Sequence, residues 1–279
     1  MQNFIVNQWL PDEDSSINIK SDWFVKGLFL YEVVRTYNRL PFALKKHYDR
    51  LLRCAEYMGV EKALPGFDRL ASLVMEGIEM NRTNSELRIR IVLAGQNLLL
   101  LYEELPVISK DIYELGVKVG ISPFQRPSEN IIPGKLKLIG APWSFLSKTR
   151  LGECYDLLLL NEKGELCEGS FTNVFLVKEE TLITPYEASG ILPGITRENV
   201  LNLASALEMK VEIRKVMAWE AFVADEIFLT HTSAGIVPVR RLESKVLIEE
   251  FPDGYTRILM DNFEGYVMTR EDNWKGIKL

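Results

Sequence analysis

Residues 190–199 read GILPGITREN. A Gly-x-x-Pro-Gly-x-Thr turn that passes at once into a helical pattern sets a tight loop on a helix N-terminus. Unpaired N–H groups and a partial positive charge suit such an end to an anion. Taken alone, the commoner meaning of the pattern is a plain helix cap on Thr196. Arg88 and Arg90 alternate with apolar residues in LRIRIVLA, so both point from one strand face. There they could hold a carboxylate or make cross-strand ion pairs. His47 and Arg50 share one face of an expected helix. Metal chemistry finds no motif: His47 and His231 are the two histidines, far apart, and Cys54, Cys154 and Cys167 show no CxxC spacing.

The elements that must position these residues fall into two sets. Periodicity predicts helices over 45–59 and 66–81, then strands Leu87–Ala94, Leu98–Tyr102 and Gly116–Ile121. The stretch SPFQRPSENIIPG, 122–134, has three prolines and no periodicity, and reads as a linker. Beyond it come strands at Asp156–Leu160, Thr172–Val177, Thr181–Thr184, Val211–Val216 and Glu226–Thr230. Helices follow at about Thr196–Glu208 and Tyr255–Met268. The expectation is two α+β domains: a small one over 1–121, a linker over 122–130, and a larger one over 131–279.

Of 279 residues, 47% are hydrophobic and 26% charged, enough for a large core without staples. A net charge of −6 argues against a nucleic-acid partner. The N-terminus lacks a signal-peptide pattern and no apolar run approaches the ~20 residues of a membrane span. Three cysteines without a framework suit reduced thiols and a cytoplasmic location.

Four stretches carry a resemblance in order and spacing: LYEVVRTYNRLPFALKKHYDRL (30–51), PGKLKLIGAPWSFL (133–146), ELCEGSFTNVFLV (165–177), and GILPGITREN with FLTHTSAGIVPV (228–239) after it. Together the chain resembles the class IV pyridoxal-phosphate enzymes, which include branched-chain and D-amino acid aminotransferases and aminodeoxychorismate lyases. The resemblance implies fold type IV: a small α/β N-terminal domain and a larger, α/β-barrel-like C-terminal domain, paired as a homodimer. It implies pyridoxal 5'-phosphate as cofactor and transfer of an amino group between an amino acid, of branched-chain or D-amino acid type, and a 2-oxo acid through a lysine aldimine, and the stretch 30–51 resembles the D-amino acid branch in particular. The lyase is the runner-up, and a degenerate binding protein is the alternative of another class.

The resemblance also implies roles. The cofactor phosphate is the anion at Gly194, Ile195 and Thr196, and Arg50 is its charged ligand, with His47 as structural support. Glu168 faces the ring nitrogen and keeps it protonated. Tyr31 lies near cofactor and substrate. Thr232 and Ser233, on a small-residue turn, meet phosphate or substrate carboxylate, with Arg88 and Arg90 as further carboxylate candidates. The Schiff-base lysine is Lys137 or Lys135, read as projecting from one side of a single strand. Local pattern favours Lys137, and the count back from Tyr155-Asp156 favours Lys135; Lys137 is taken, and Lys148 is too close to Glu168 to serve. One departure is Gly27-Leu28-Phe29, where the family often has a second glycine; Phe29 there could narrow the substrate pocket.

Overall fold

The computed structural model describes residues 1–16, 18, 20, 24, 25, 27, 29–247 and 254–277, so Leu28 lies outside the described residues. The chain forms two compact units, each discontinuous in sequence.

The first unit comprises Met1–Pro106, Lys137–Ile139 and Met268–Leu279. Its sheet holds β1 (Gln2–Ile5), β2 (Gln8–Pro11), β3 (Phe29–Tyr37), β4 (Leu40–Pro41), β5 (Leu87–Ala94) and β6 (Asn97–Glu104), in the order β2-β1-β6-β5-β3-β4. Alternation dictates which face is buried. On β3, Leu30, Glu32, Val34 and Thr36 are buried, the first three paired in register with Leu93, Ile91 and Ile89 of β5. Helix α1 (Leu44–Met58) packs on β3, and α2 (Phe67–Met80) on β1. Val34, Leu70, Val74, Ile78, Ile89 and Ile91 are fully buried between these layers, each contributing about 1.5–3 kcal/mol by leaving water. Gly59 ends α1 in the left-handed region at φ 68°. Gly77 is required for another reason: a Cβ there would lie 2.2 Å from the Tyr102 ring.

The second unit comprises Val107–Leu136 and Gly140–Val267. Its strands are β7 (Val117–Ile121), β8 (Asp156–Leu160), β9 (Leu166–Gly169), β10 (Asn173–Lys178), β11 (Thr181–Pro185), β12 (Lys210–Arg214), β13 (Glu226–His231), β14 (Gly235–Leu242) and β15 (Lys245–Val246). They run β12-β11-β10-β13-β14-β7-β8-β9, with β15 on β14. The end strand β9 passes into β10, deep in the same sheet, through residues 170–172, and Gly169 N–H donates to the Thr172 carbonyl at 2.7 Å. A join that short requires the sheet to curl on itself, which agrees with a barrel-like unit. Helices α3 (Pro142–Lys148), α4 (Ile195–Ala206), α5 (Ala218–Val223) and α6 (Tyr255–Thr269) accompany it.

The boundaries differ from those expected at 121, 130 and 279, for hydrogen-bonding reasons. Strand β7 pairs in parallel with β14 and β8, so 107–121 belong to the second sheet. Residues 122–130 have no regular element, yet they run beside β8: Ser122 N–H donates to Leu158 and Arg126 N–H to Leu160, both at 2.8 Å. The end of the chain returns to the first unit, where Ala43 N–H donates to the Asn273 carbonyl at 2.9 Å and Trp274 meets Phe42 edge-on.

Candidate active site

In the first unit, Lys137 lies on no strand, contrary to the expectation. Leu138 makes an isolated bridge to Leu30, Tyr31 N–H donates to the Lys137 carbonyl at 3.1 Å, and Ile139 N–H donates to Phe29 at 3.0 Å. Three residues thus stitch onto β3 because the turn before them, closed by Leu136 N–H to Pro133, leaves no room for a longer ladder. The Lys137 Nζ lies 4.8 Å from the centre of the Tyr31 ring, a cation–π distance. Lys135 is exposed in the preceding turn, so the two lysines do not share a strand face.

Beside Lys137, Glu32 is fully buried and accepts from Arg50 Nε at 2.7 Å and Arg50 Nη2 at 2.6 Å, while His47 Nδ1 sits 2.7 Å from its Oε2. Burial alone would raise the Glu32 pKa, but Arg50 and His47 outweigh it and bring it to about 2. Burial lowers the His47 pKa, and its Nε2 has no hydrogen-bond partner among the described residues. Arg50 therefore arrives with one edge of its guanidinium fixed by Glu32, a fork geometry that a lysine lacks. Arg88 and Arg90 do point from one face, and both pair with Glu103 on the next strand, the cross-strand alternative.

In the second unit, Glu168 is the last residue but one of β9 and is buried. Its Oε2 accepts from Leu192 N–H at 2.8 Å and Asn173 Nδ2 at 3.4 Å, and its Oε1 lies 3.1 Å from Arg126 Nε. Asn173 also donates to the Leu192 carbonyl at 2.9 Å, tying Glu168 to the loop before α4. The N-cap of α4 is Gly194, not Thr196; among the described residues no side chain caps this helix, and Ile195 and Thr196 are buried in its first turn. Gly194 has an ordinary φ of −72°. It is required for close approach: a Cβ would lie 1.9 Å from Asn173 Oδ1.

The turn after Glu168 is built on Asp156. This fully buried carboxylate accepts from Ser170 N–H and Oγ, Phe171 N–H, Thr172 Oγ1 and Leu157 N–H. Burial raises its pKa against these neutral donors. Thr232 and Ser233, half-buried, form the turn joining β13 to β14, and Asn173 lies opposite Thr230 in register. Just before that turn, His231 Nε2 is 2.8 Å from the Tyr155 hydroxyl and meets Phe171 edge-on.

The first unit thus gathers Tyr31, Arg50 and Lys137, and the second gathers Glu168, Gly194, Ile195 and Thr196, with Thr232 and Ser233 one strand away. Glu32, Asp156, Asn173 and Arg126 carry much of this geometry and went unassigned in sequence. Glu32 had a signal, the Tyr31-Glu32 pair on an alternating strand; Arg126, in a proline-rich stretch, had none. Among the described residues, no cluster of His, Cys, Asp or Glu is arranged to hold a metal, and no helix is long and apolar enough to cross a membrane.

The family model for amino-transferase class IV matches residues 29–242. The chain belongs to the class IV aminotransferases. A probable branched-chain-amino-acid aminotransferase of Thermotoga maritima is 46% identical over 263 residues, covering 94% of this chain and 95% of that protein. A solved structure of a putative branched-chain amino acid aminotransferase from Thermotoga maritima superposes with a TM-score of 0.92 at 41% identity, covering 99% of both chains. The holo-form of a branched-chain amino acid aminotransferase from Thermobaculum terrenum, with PLP, matches in fold, with a TM-score of 0.84 at 24% identity over 95% of this chain and 93% of that one. The fold is fold type IV, as the sequence implied.

This aminotransferase uses pyridoxal 5'-phosphate, and its substrates are an amino acid and a 2-oxo acid. Its residues fit that cofactor. A buried helix N-terminus without a side-chain cap and without a Cβ at its cap residue suits a phosphate. The first unit offers a half-buried lysine and the held cation of Arg50, and the second the held anion of Glu168, groups of the kinds that cofactor's chemistry would call for.

Proposed function

We propose that this class IV aminotransferase acts on branched-chain amino acids, passing their amino group to a 2-oxo acid. The observation that carries the substrate class is the 46% identity to the Thermotoga maritima protein over nearly the whole of both chains. The first unit gives physical support. Tyr31, against which Lys137 rests, packs with Phe29, Leu10 and Leu101 on the buried residues Ile5, Val92, Ala94 and Leu99. These neighbours make the surroundings of Tyr31 apolar, which suits an aliphatic side chain.

When bound, pyridoxal phosphate supplies an aldehyde that condenses with amines and a ring that withdraws electrons from the substrate Cα. Lys137 would be the amine it meets, and with that amine free its Nζ would carry a proton from the substrate Cα to the cofactor's former aldehyde carbon in one half-reaction and back the other way in the second. Glu168 holds a proton at the ring nitrogen. Gly194, Ile195 and Thr196 hold the phosphate through backbone and hydroxyl donors, and Arg50 holds it through charge. Tyr31 lines the substrate's approach. Thr232 and Ser233 orient the substrate carboxylate, and Arg88 and Arg90, two cations sharing one carboxylate, leave a net positive charge to attract it. The same reading takes the enzyme as a homodimer in the cytoplasm, where its three cysteines stay reduced.

The test is a panel of L- and D-amino acids with 2-oxoglutarate as acceptor. Fastest turnover with leucine, isoleucine or valine is expected. Preference for D-alanine or D-glutamate would move the assignment to the D-amino acid branch. Release of 4-aminobenzoate and pyruvate from aminodeoxychorismate, without transamination, would replace it by the lyase.

A further inference from the structure

Glu168 is paired on its other side by a buried cation. Arg126 is 2% exposed, its Nε lies 3.1 Å from Glu168 Oε1, its Nη2 donates to the Gly134 carbonyl at 3.1 Å, and its Cζ lies 4.4 Å over the Trp143 ring. Its backbone is fixed too, by the N–H bond to Leu160. Nε approaches the carboxylate without an aligned hydrogen bond, and Nη1 has no hydrogen-bond partner among the described residues. A guanidinium with five N–H groups, buried on an aromatic face and only partly bonded, is an expensive arrangement. What offsets it is the charge of Glu168, felt strongly in a dry site.

We propose that Arg126 is a positioning residue for the aminotransferase reaction: it keeps negative charge on Glu168, so that the proton shared with the cofactor rests on the ring nitrogen rather than on the carboxylate. This rests on the reading of Glu168 given above. A carboxylate facing a ring nitrogen can share one proton in two ways, as anion and protonated ring or as neutral acid and neutral ring. A cation beside the carboxylate favours the first. Leu192 N–H and Asn173, both donating to Oε2, hold the same carboxylate in place and add to that preference. Without Arg126 the carboxylate keeps its place through these two donors but loses its counter-charge, and the proton moves onto it. The ring then withdraws electrons less well.

The test loads the full-length enzyme with pyridoxal phosphate carrying 15N at the ring nitrogen and reads its chemical shift by solid-state NMR. Parent, Arg126→Gln, Arg126→Met, Arg126→Lys and Glu168→Gln are compared. Expected are a protonated-ring signal in the parent and in Arg126→Lys, and a move past halfway toward the neutral-pyridine signal in Arg126→Gln and Arg126→Met. Glu168→Gln is expected to reach the neutral signal. A parent-like signal in both neutral Arg126 variants, with Glu168→Gln shifted, overturns the role of Arg126 and leaves that of Glu168 standing. No shift in Glu168→Gln overturns the reading of Glu168, and this proposal with it. A shift in Arg126→Lys equal to that in Arg126→Gln would tie the effect to shape rather than charge and also overturns it. If neither neutral variant folds and takes up cofactor, judged by apo-protein melting and bound absorbance, Arg126 is structural and the proposal fails.

Discussion

Glu32 in the first unit and Asp156 in the second are both fully buried carboxylates, and they are satisfied in opposite ways. Glu32 meets a guanidinium and an imidazole, which hold its pKa near 2 against the effect of burial. Asp156 meets only hydroxyls and backbone N–H groups, and burial wins. The two devices do different work. A carboxylate held by a cation fixes that cation's orientation, and Glu32 fixes Arg50 within the first turns of a helix. A carboxylate held by neutral donors gathers backbone, and Asp156 shapes the turn that follows Glu168.

The largest expected effect follows from breaking the charged device. Glu32→Gln leaves the Arg50 guanidinium buried without its counter-charge, a loss of about 3–5 kcal/mol, read as a lowered melting temperature of the apo-protein at neutral pH. An unchanged melt would mean that Arg50 is not held by Glu32. Breaking the neutral device costs less. Asp156→Asn keeps one acceptor oxygen but turns an amide toward donors such as the Phe171 N–H and Thr172 Oγ1, a loss of about 1–3 kcal/mol. Faster hydrogen exchange at Ser170 and Phe171, with the first unit's amides unaffected, is the expected signature.

The smallest effect, and the sharpest test of the contrast, is the pH dependence of these two deficits. The Glu32 pKa is lowered from 4.5, so its stabilisation is whole above that value and is lost as pH falls toward 2. His47, lowered from 6.5, acts in the same direction, because the unfolded chain takes up its proton first. The Asp156 pKa is raised from 3.8, so its contribution is whole below that value and shrinks as pH rises through the folded-state pKa. The melting deficit of Glu32→Gln should therefore be larger at about pH 7 than at about pH 3, and that of Asp156→Asn should be larger at about pH 3. Parallel slopes in the two variants would show that the two carboxylates are not held differently.

Much of the frame was legible in the sequence because its signals are local. Strand β5 and helices α1 and α2 follow from alternation and from the 3.6-residue period, and β8 follows from a continuous apolar run. The strand expected to carry Lys135 and Lys137 does not form, and the isolated bridge of Leu138 to Leu30 that stands there has no sequence period of its own. Strand β9 was unread because Leu166–Gly169 has four buried residues in a row and no alternation. At the site, Glu168 and Gly194 were legible from motif. The bonds of Glu32 to Arg50, eighteen residues away, and of Arg126 to Glu168, forty-two away, were not, because folding and not spacing creates them.

The account rests most directly on Lys137 as the cofactor lysine. Borohydride reduction of the holoenzyme makes the lysine–cofactor linkage permanent, and peptide mass mapping then locates it. The label is expected on Lys137, whose amine lies on the Tyr31 ring. A label on Lys135, or none on either lysine with the cofactor bound, would contradict it.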